Sequence, residues 1–118
     1  LCAKKQIIPD DILYLSDELN DFKGGMTENY VNIHLNINSY TPYFWKNEKG
    51  TAEIDFIIIK DNKIIPIEVK SSSNNIRSKS LNSYVKTYKP EYSIRVSSKN
   101  FGLENNIKSV PLYAVFCL

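Results

Sequence analysis

The chain has 118 residues, 42% hydrophobic and 24% charged, which fits one globular domain of the soluble class and excludes a disordered polymer. A net charge of +2 is too small to declare a nucleic-acid partner by itself, and the longest apolar runs, such as Ile57-Ile58-Ile59, are far too short to span a bilayer. One histidine and two cysteines without CxxC spacing exclude zinc; Cys2 and Cys117 read as reduced thiols of a cytoplasmic protein, with a disulfide between them as the alternative. The chain opens on Leu1 and its first nine residues lack the apolar run of a signal peptide, so it reads as a fragment cut from a longer protein. Pro9-Asp10-Asp11 followed by Ile12, Leu13, Leu15 and Leu19 predicts a short helix with an acidic first turn, and Phe22-Lys23-Gly24-Gly25 predicts a break. This divides the chain into a helical segment over 1–22 and a main domain over 23–118.

Thr27 is the expected N-cap of a helix that opens at Glu28 and carries Tyr30, Val31, Ile33, His34, Leu35 and Ile37. Tyr43-Phe44-Trp45 is β-prone, and residues 47–50 carry turn chemistry. Residues 52–60 and 63–70 predict two strands joined by a tight Asp61-Asn62 turn. Both strands are apolar on both faces over much of their length, as in a sheet covered on two sides. After a polar loop at 71–75, Leu81, Tyr84, Val85 and Tyr88 recur at helical spacing within a helix over 76–88, stopped by Pro90. Residues 92–97 predict a short strand parallel to the one before the helix, and 110–118 a final apolar strand. The expected fold is α/β: an αβββαβ core with a mixed sheet flanked by helices, and one extra strand.

The tight turn fixes a register. With Lys60 opposite Lys63, Asp55 falls opposite Glu68 and Glu53 opposite Lys70, all on one face because residues two apart share a face. The other face then sends Ile54, Phe56, Ile58, Ile65, Ile67 and Val69 into a core. Two opposed carboxylates repel by up to ~1 kcal/mol, and a divalent cation removes that penalty. Oxygen-rich sites with one or two carboxylates suit Mg²⁺ or Mn²⁺, and Asp, Glu and Lys are the residue types that metal-assisted phosphodiester hydrolysis needs.

Asp55 followed by Glu68-Val69-Lys70 resembles the motif of the PD-(D/E)XK nuclease superfamily. The runs at 25–31, 52–56, 65–71 and 92–97, with Pro111-Leu112-Tyr113, also look like an uncharacterised domain found C-terminal to prokaryotic AAA+-type ATPases. The resemblance implies a restriction-endonuclease-like fold. It also implies Asp55 and Glu68 as metal ligands with the Val69 carbonyl beside them, Lys70 acting on the attacking water, and Glu28 reaching in from the first helix. It further implies an ATPase region in the full protein; no G-x-x-x-x-G-K-[ST] occurs here, so this piece offers no ATP site of that kind.

Plainer readings stand beside these. The acidic pair could be a solvated hairpin face stapled by a Glu53–Lys70 ion pair, and Glu28 a first-turn acid favoured by the helix dipole. Lys70 could merely neutralise its neighbours. His34, Trp45, Tyr43 and Tyr84 read as packing residues. Lys and Arg outnumber acids from Lys70 onward, and Arg77, Lys79, Lys86 and Lys89, in or beside the second helix, form either a weak DNA-binding surface or a solvated face. The expectation is a Mg²⁺- or Mn²⁺-dependent DNA phosphodiesterase attached to an ATPase. The alternative is a catalytically silent DNA- or protein-binding module of the same fold.

Overall fold

A computed structural model describes residues 20–70 and 79–118, with side chains described from Gly24 onward. Helix α1 spans Asn20–Ile37, followed by strands β1 (Tyr43–Lys46), β2 (Glu53–Lys60) and β3 (Lys63–Val69). Helix α2 (Lys79–Tyr88), β4 (Ser93–Ser97), β5 (Gly102–Glu104), β6 (Ile107–Pro111) and a 3₁₀ helix over Leu112–Cys117 complete the order. The strands form one six-stranded mixed sheet in the order β1-β2-β3-β4-β6-β5. The α/β class and the order helix, three meandering strands, helix, strand agree with the sequence pattern. The helix expected near residues 12–19, Cys2, the 71–75 loop and the first residues of the 76–88 helix lie outside the described residues.

Three expectations are corrected. First, α1 runs through Gly24-Gly25 without a break. Glycine in a helix interior costs roughly 1 kcal/mol against alanine but keeps its N–H, and burial of Val31 and Leu35 outweighs a local penalty of that size. Thr27 therefore sits buried inside the helix, not at its N-cap. The true C-terminus is a Schellman end: Ser39 is left-handed (φ 66°), Tyr40 N–H donates to Leu35 C=O at 3.0 Å, and Ser39 N–H to Asn36 C=O at 3.0 Å.

Second, the final strand stops at Pro111 and a 3₁₀ turn takes over. The region before it, for which no strand is expected, holds a β5–β6 hairpin turning on Asn105 (φ 51°) and Asn106 (φ 61°). Positive φ at both central residues is the two-residue primed turn that Asn tolerates.

Third, Ile54 leaves the core face assigned to it. Phe56, Ile58, Ile65, Ile67 and Val69 pack with Val31 and Leu35 of α1 and with the 3₁₀ segment. Ile54 instead joins Leu81 and Tyr84 of α2, together with Trp45 and Ile57. Opposite β1, Tyr43 pairs with Ile57 but Trp45 with Ile54, so Asp55 and Phe56 face Phe44 alone. This extra residue is a β-bulge, and it flips the alternation on which the face assignment rested.

The hairpin register does hold. Pairs run from Lys60–Lys63 to Phe56–Ile67, with Asp61 (φ 52°) and Asn62 (φ 64°) both in the left-handed region. β3 and β4 are parallel, as expected. Lys89 (φ 48°) closes α2 with its N–H on the Val85 C=O at 2.9 Å, and Pro90 follows. No helix among the described residues is long and apolar enough to cross a membrane.

Candidate active site

The bulge in β2 and the end of β3 bring three of the expected residues together. Asp55 Oδ2 accepts the Val69 N–H at 2.8 Å, tying β2 to β3 just past their last backbone pair. Glu68, only 5% exposed, lies beside it, and Lys70 Nζ stands 3.5 Å from Glu68 Oε1. Lys70 has left the β2–β3 ladder and donates its N–H to Val96 C=O at 2.8 Å.

The expected Glu53–Lys70 pairing is absent, because β2–β3 pairing ends at Phe56–Ile67 and Glu53 pairs across β1 with Lys46. Lys70 pairs instead with Glu68, two residues back along its own chain. Glu28 lies two turns inside α1, not in its first turn, so the dipole explanation for it fails. It is exposed, and it is electrostatically coupled to Asp55 and Glu53.

One residue that sequence reasoning passed over belongs here. Arg95 of β4 pairs with Glu68 in the parallel ladder, and its Nε lies 4.0 Å from Glu68 Oε2, beyond hydrogen-bond reach. A lone arginine between Ile94 and Val96 was a signal, but only the β3–β4 register places it beside Glu68.

The electrostatics are those of crowded, partly dehydrated carboxylates. Burial pushes the Asp55 carboxyl up and Glu53 adds to this, against the Val69 N–H and Lys70. Burial likewise raises Glu68, with a push from Asp55 that Lys70 and Arg95 offset in part. Glu28, exposed but partly dehydrated where it nears the sheet, is raised first by that partial desolvation and then by Asp55 and Glu53. Glu68 Oε2 is buried without a hydrogen-bond partner. A buried acceptor left unmatched costs roughly 1–3 kcal/mol, so it calls for an explanation.

A cation is one explanation, and the donor set limits which. Among the described residues no group of three His, Cys, Asp or Glu is placed to hold a metal ion. Among the described residues there is thus no full protein cage of the zinc or calcium kind, and the donors to hand are the neighbouring carboxylates of Asp55 and Glu68, a set of the size through which Mg²⁺ binds with several waters retained.

A family model described as a domain of unknown function, DUF4143, matches residues 23–115. The chain belongs to the DUF4143 family. Within this DUF4143 domain the match takes in Glu28, Asp55, Glu68 and Lys70. No curated protein and no solved structure matches the chain.

The remaining expected residues separate. Lys79, Lys86 and Lys89 are exposed on or just after α2, while Arg77 lies outside the described residues. His34 is half-buried with its ring 4.5 Å from that of Tyr30, and Tyr84 is core, as read from the sequence. Tyr43 is exposed on the edge strand, against its reading as a packing residue. Cys117 is a free, exposed thiol.

Proposed function

We propose that this domain is a Mg²⁺- or Mn²⁺-dependent phosphodiesterase of the PD-(D/E)XK kind, acting on DNA in the service of an AAA+-type ATPase. The observation that carries the reading is Glu68, a buried carboxylate with one oxygen unmatched, set against Asp55 and Lys70. Asp55 and Glu68 would hold the ion, with the Val69 carbonyl next to them. When bound, such an ion polarises a phosphoryl oxygen and lowers the pKa of a coordinated water.

The chain's own groups do the rest. Lys70, with 30% of its side chain exposed, can reach the solvent side of the site, where an ammonium orients a water and meets charge developing on a phosphate. Glu28 and Glu53 add negative potential at the mouth and favour cation capture. Arg95, its Nε 4.0 Å from Glu68 Oε2, offsets part of that carboxylate's charge.

A second reading has its own support. Lys70 and Arg95 already neutralise Glu68, and Asp55 Oδ2 is engaged by Val69, so the same geometry suits a silent module that contacts DNA or protein. Calorimetric titration with Mn²⁺ separates the two. Saturable one-site binding that vanishes in both Asp55→Asn and Glu68→Gln, with DNA cleavage lost in Lys70→Ala, is the expected result. A parent protein that takes up no cation, with or without DNA present, overturns the enzymatic reading.

A further inference from the structure

A cleft of about 520 Å³ opens between the β1–β2 turn and α2, and the carboxylate site does not use it. Its walls include Trp45, Lys46, Lys49, Thr51, Thr87 and Tyr88. We propose that this cleft seats a single strand of nucleic acid, one base stacking on Tyr88 with Trp45 edge-on beside it and the flanking phosphates meeting Lys46 and Lys49. The proposal rests on the phosphodiester-directed reading of the carboxylate site, and its position supports that link. Lys46 pairs with Glu53 across β1–β2, and the Glu53 N–H donates to Ser80 Oγ of α2 at 3.3 Å. Asp55 is two residues further along β2, so cleft and carboxylates share one end of the sheet.

The aromatic wall is built to stay in place. Tyr88 is 56% exposed, yet its ring is braced 5.9 Å from Trp45, edge-on, and 4.7 Å from Tyr84. Tyr84 is buried and lies edge-on to Trp45 at 5.2 Å. An exposed ring held by two others offers a π-face at little entropic cost, which is how sequence-tolerant single-strand sites work.

The charge also fits a polyanion. α2 carries Lys79 and Lys86 without an acid, Lys89 follows, and Glu48 is the one acid among the cleft's lining residues. Among the described residues none of these lysines, nor Lys46 or Lys49, is in an ion pair.

Trp45 is the chain's single tryptophan, so its fluorescence reports the cleft directly. The test titrates a dT oligonucleotide of about a dozen residues into the 118-residue chain in chelator at low salt. The expected result is quenching of Trp45 and an affinity that falls roughly 5- to 100-fold in Tyr88→Ala. The Lys46→Ala/Lys49→Ala pair should reduce the salt slope by about 1.4. Binding that Tyr88→Ala leaves unchanged, without quenching, overturns the assignment, as does no binding at low salt, which would leave the cleft to a protein. Tyr88-dependent binding in a protein that captures no cation would sink the catalytic reading and leave the cleft standing.

Discussion

Asp55 invites replacement by alanine as the obvious inactive variant, and the structure says that this would unfold part of what it tests. Its Oδ2 is the acceptor of the Val69 N–H at 2.8 Å, at a point where the β2–β3 ladder has ended and Val69 is buried. Asp55→Ala leaves that N–H without a partner, and a hydrogen bond to a charged group contributes roughly 1.5–3 kcal/mol. Asp55→Asn keeps an oxygen acceptor of the same reach and removes only the charge.

The sign of the charge effect follows from burial, which raises the Asp55 carboxyl more than Val69 and Lys70 lower it. The folded state therefore holds the proton more tightly than the unfolded chain. That contribution to stability is complete below about pH 4 and is lost as pH rises through the folded value. At neutral pH the ionised group opposes folding, so the expected order is Asp55→Asn at or above the parent, with Asp55→Ala about 2 kcal/mol lower. For a domain of this size that gap is roughly 8 °C in Tm, read by circular dichroism melts at pH 7 without cation. Equal midpoints for the two variants, or Asn below Ala, would refute the claim that this carboxylate stands in for a missing strand contact.

Other outcomes follow from the same geometry. Mn²⁺ at a hundred times its Kd should stabilise the parent by about 2.7 kcal/mol at pH 7, fade as the pH falls toward 4 and the raised carboxyls take up protons, and leave Glu68→Gln unaffected in thermal melts. Gly25 lies inside α1 with open space where a Cβ would go, so Gly25→Ala should raise stability by ~0.5–1 kcal/mol in urea unfolding without altering cation uptake. Asn62 holds φ 64° in the β2–β3 turn, and a β-branched residue there is strained; Asn62→Val should lower stability by about 1–2 kcal/mol, again by urea unfolding.

The parts of the fold that were legible in the sequence are those fixed by short-range chemistry. Asp61-Asn62 set a two-residue turn, the turn set the register, and the register brought Asp55 toward Glu68. Leu81 and Tyr84 gave the buried face of α2, and Pro90 its end. What stayed hidden depends on contacts distant in sequence. Gly24-Gly25 looks like a break until the burial of Val31 and Leu35 is counted. Arg95 looks like any strand residue until parallel pairing puts it against Glu68. The Asn105-Asn106 turn was visible in principle, but its flanking strands are too short, at three and five residues, for their pattern to register.

The bulge is the deepest of these hidden features, because it serves packing and chemistry at once. A regular β2 would put Ile54 on the same face as Phe56 and Ile58, leaving α2 without the residue that now packs against Leu81 and Tyr84. The extra residue lets one strand feed both cores. Its cost is a stretch at Asp55-Phe56 where two residues face Phe44 alone. The Asp55 carboxylate mends the junction by taking the Val69 N–H on Oδ2, which leaves Oδ1 for another partner. Structural and functional demands on this side chain then divide between its two oxygens. On the proposed reading, Asp55 and Glu68 would hold the ion while Oδ2 keeps the Val69 N–H and the strand junction stays closed. On that account the aspartate can hold the strands together and serve the site at the same time.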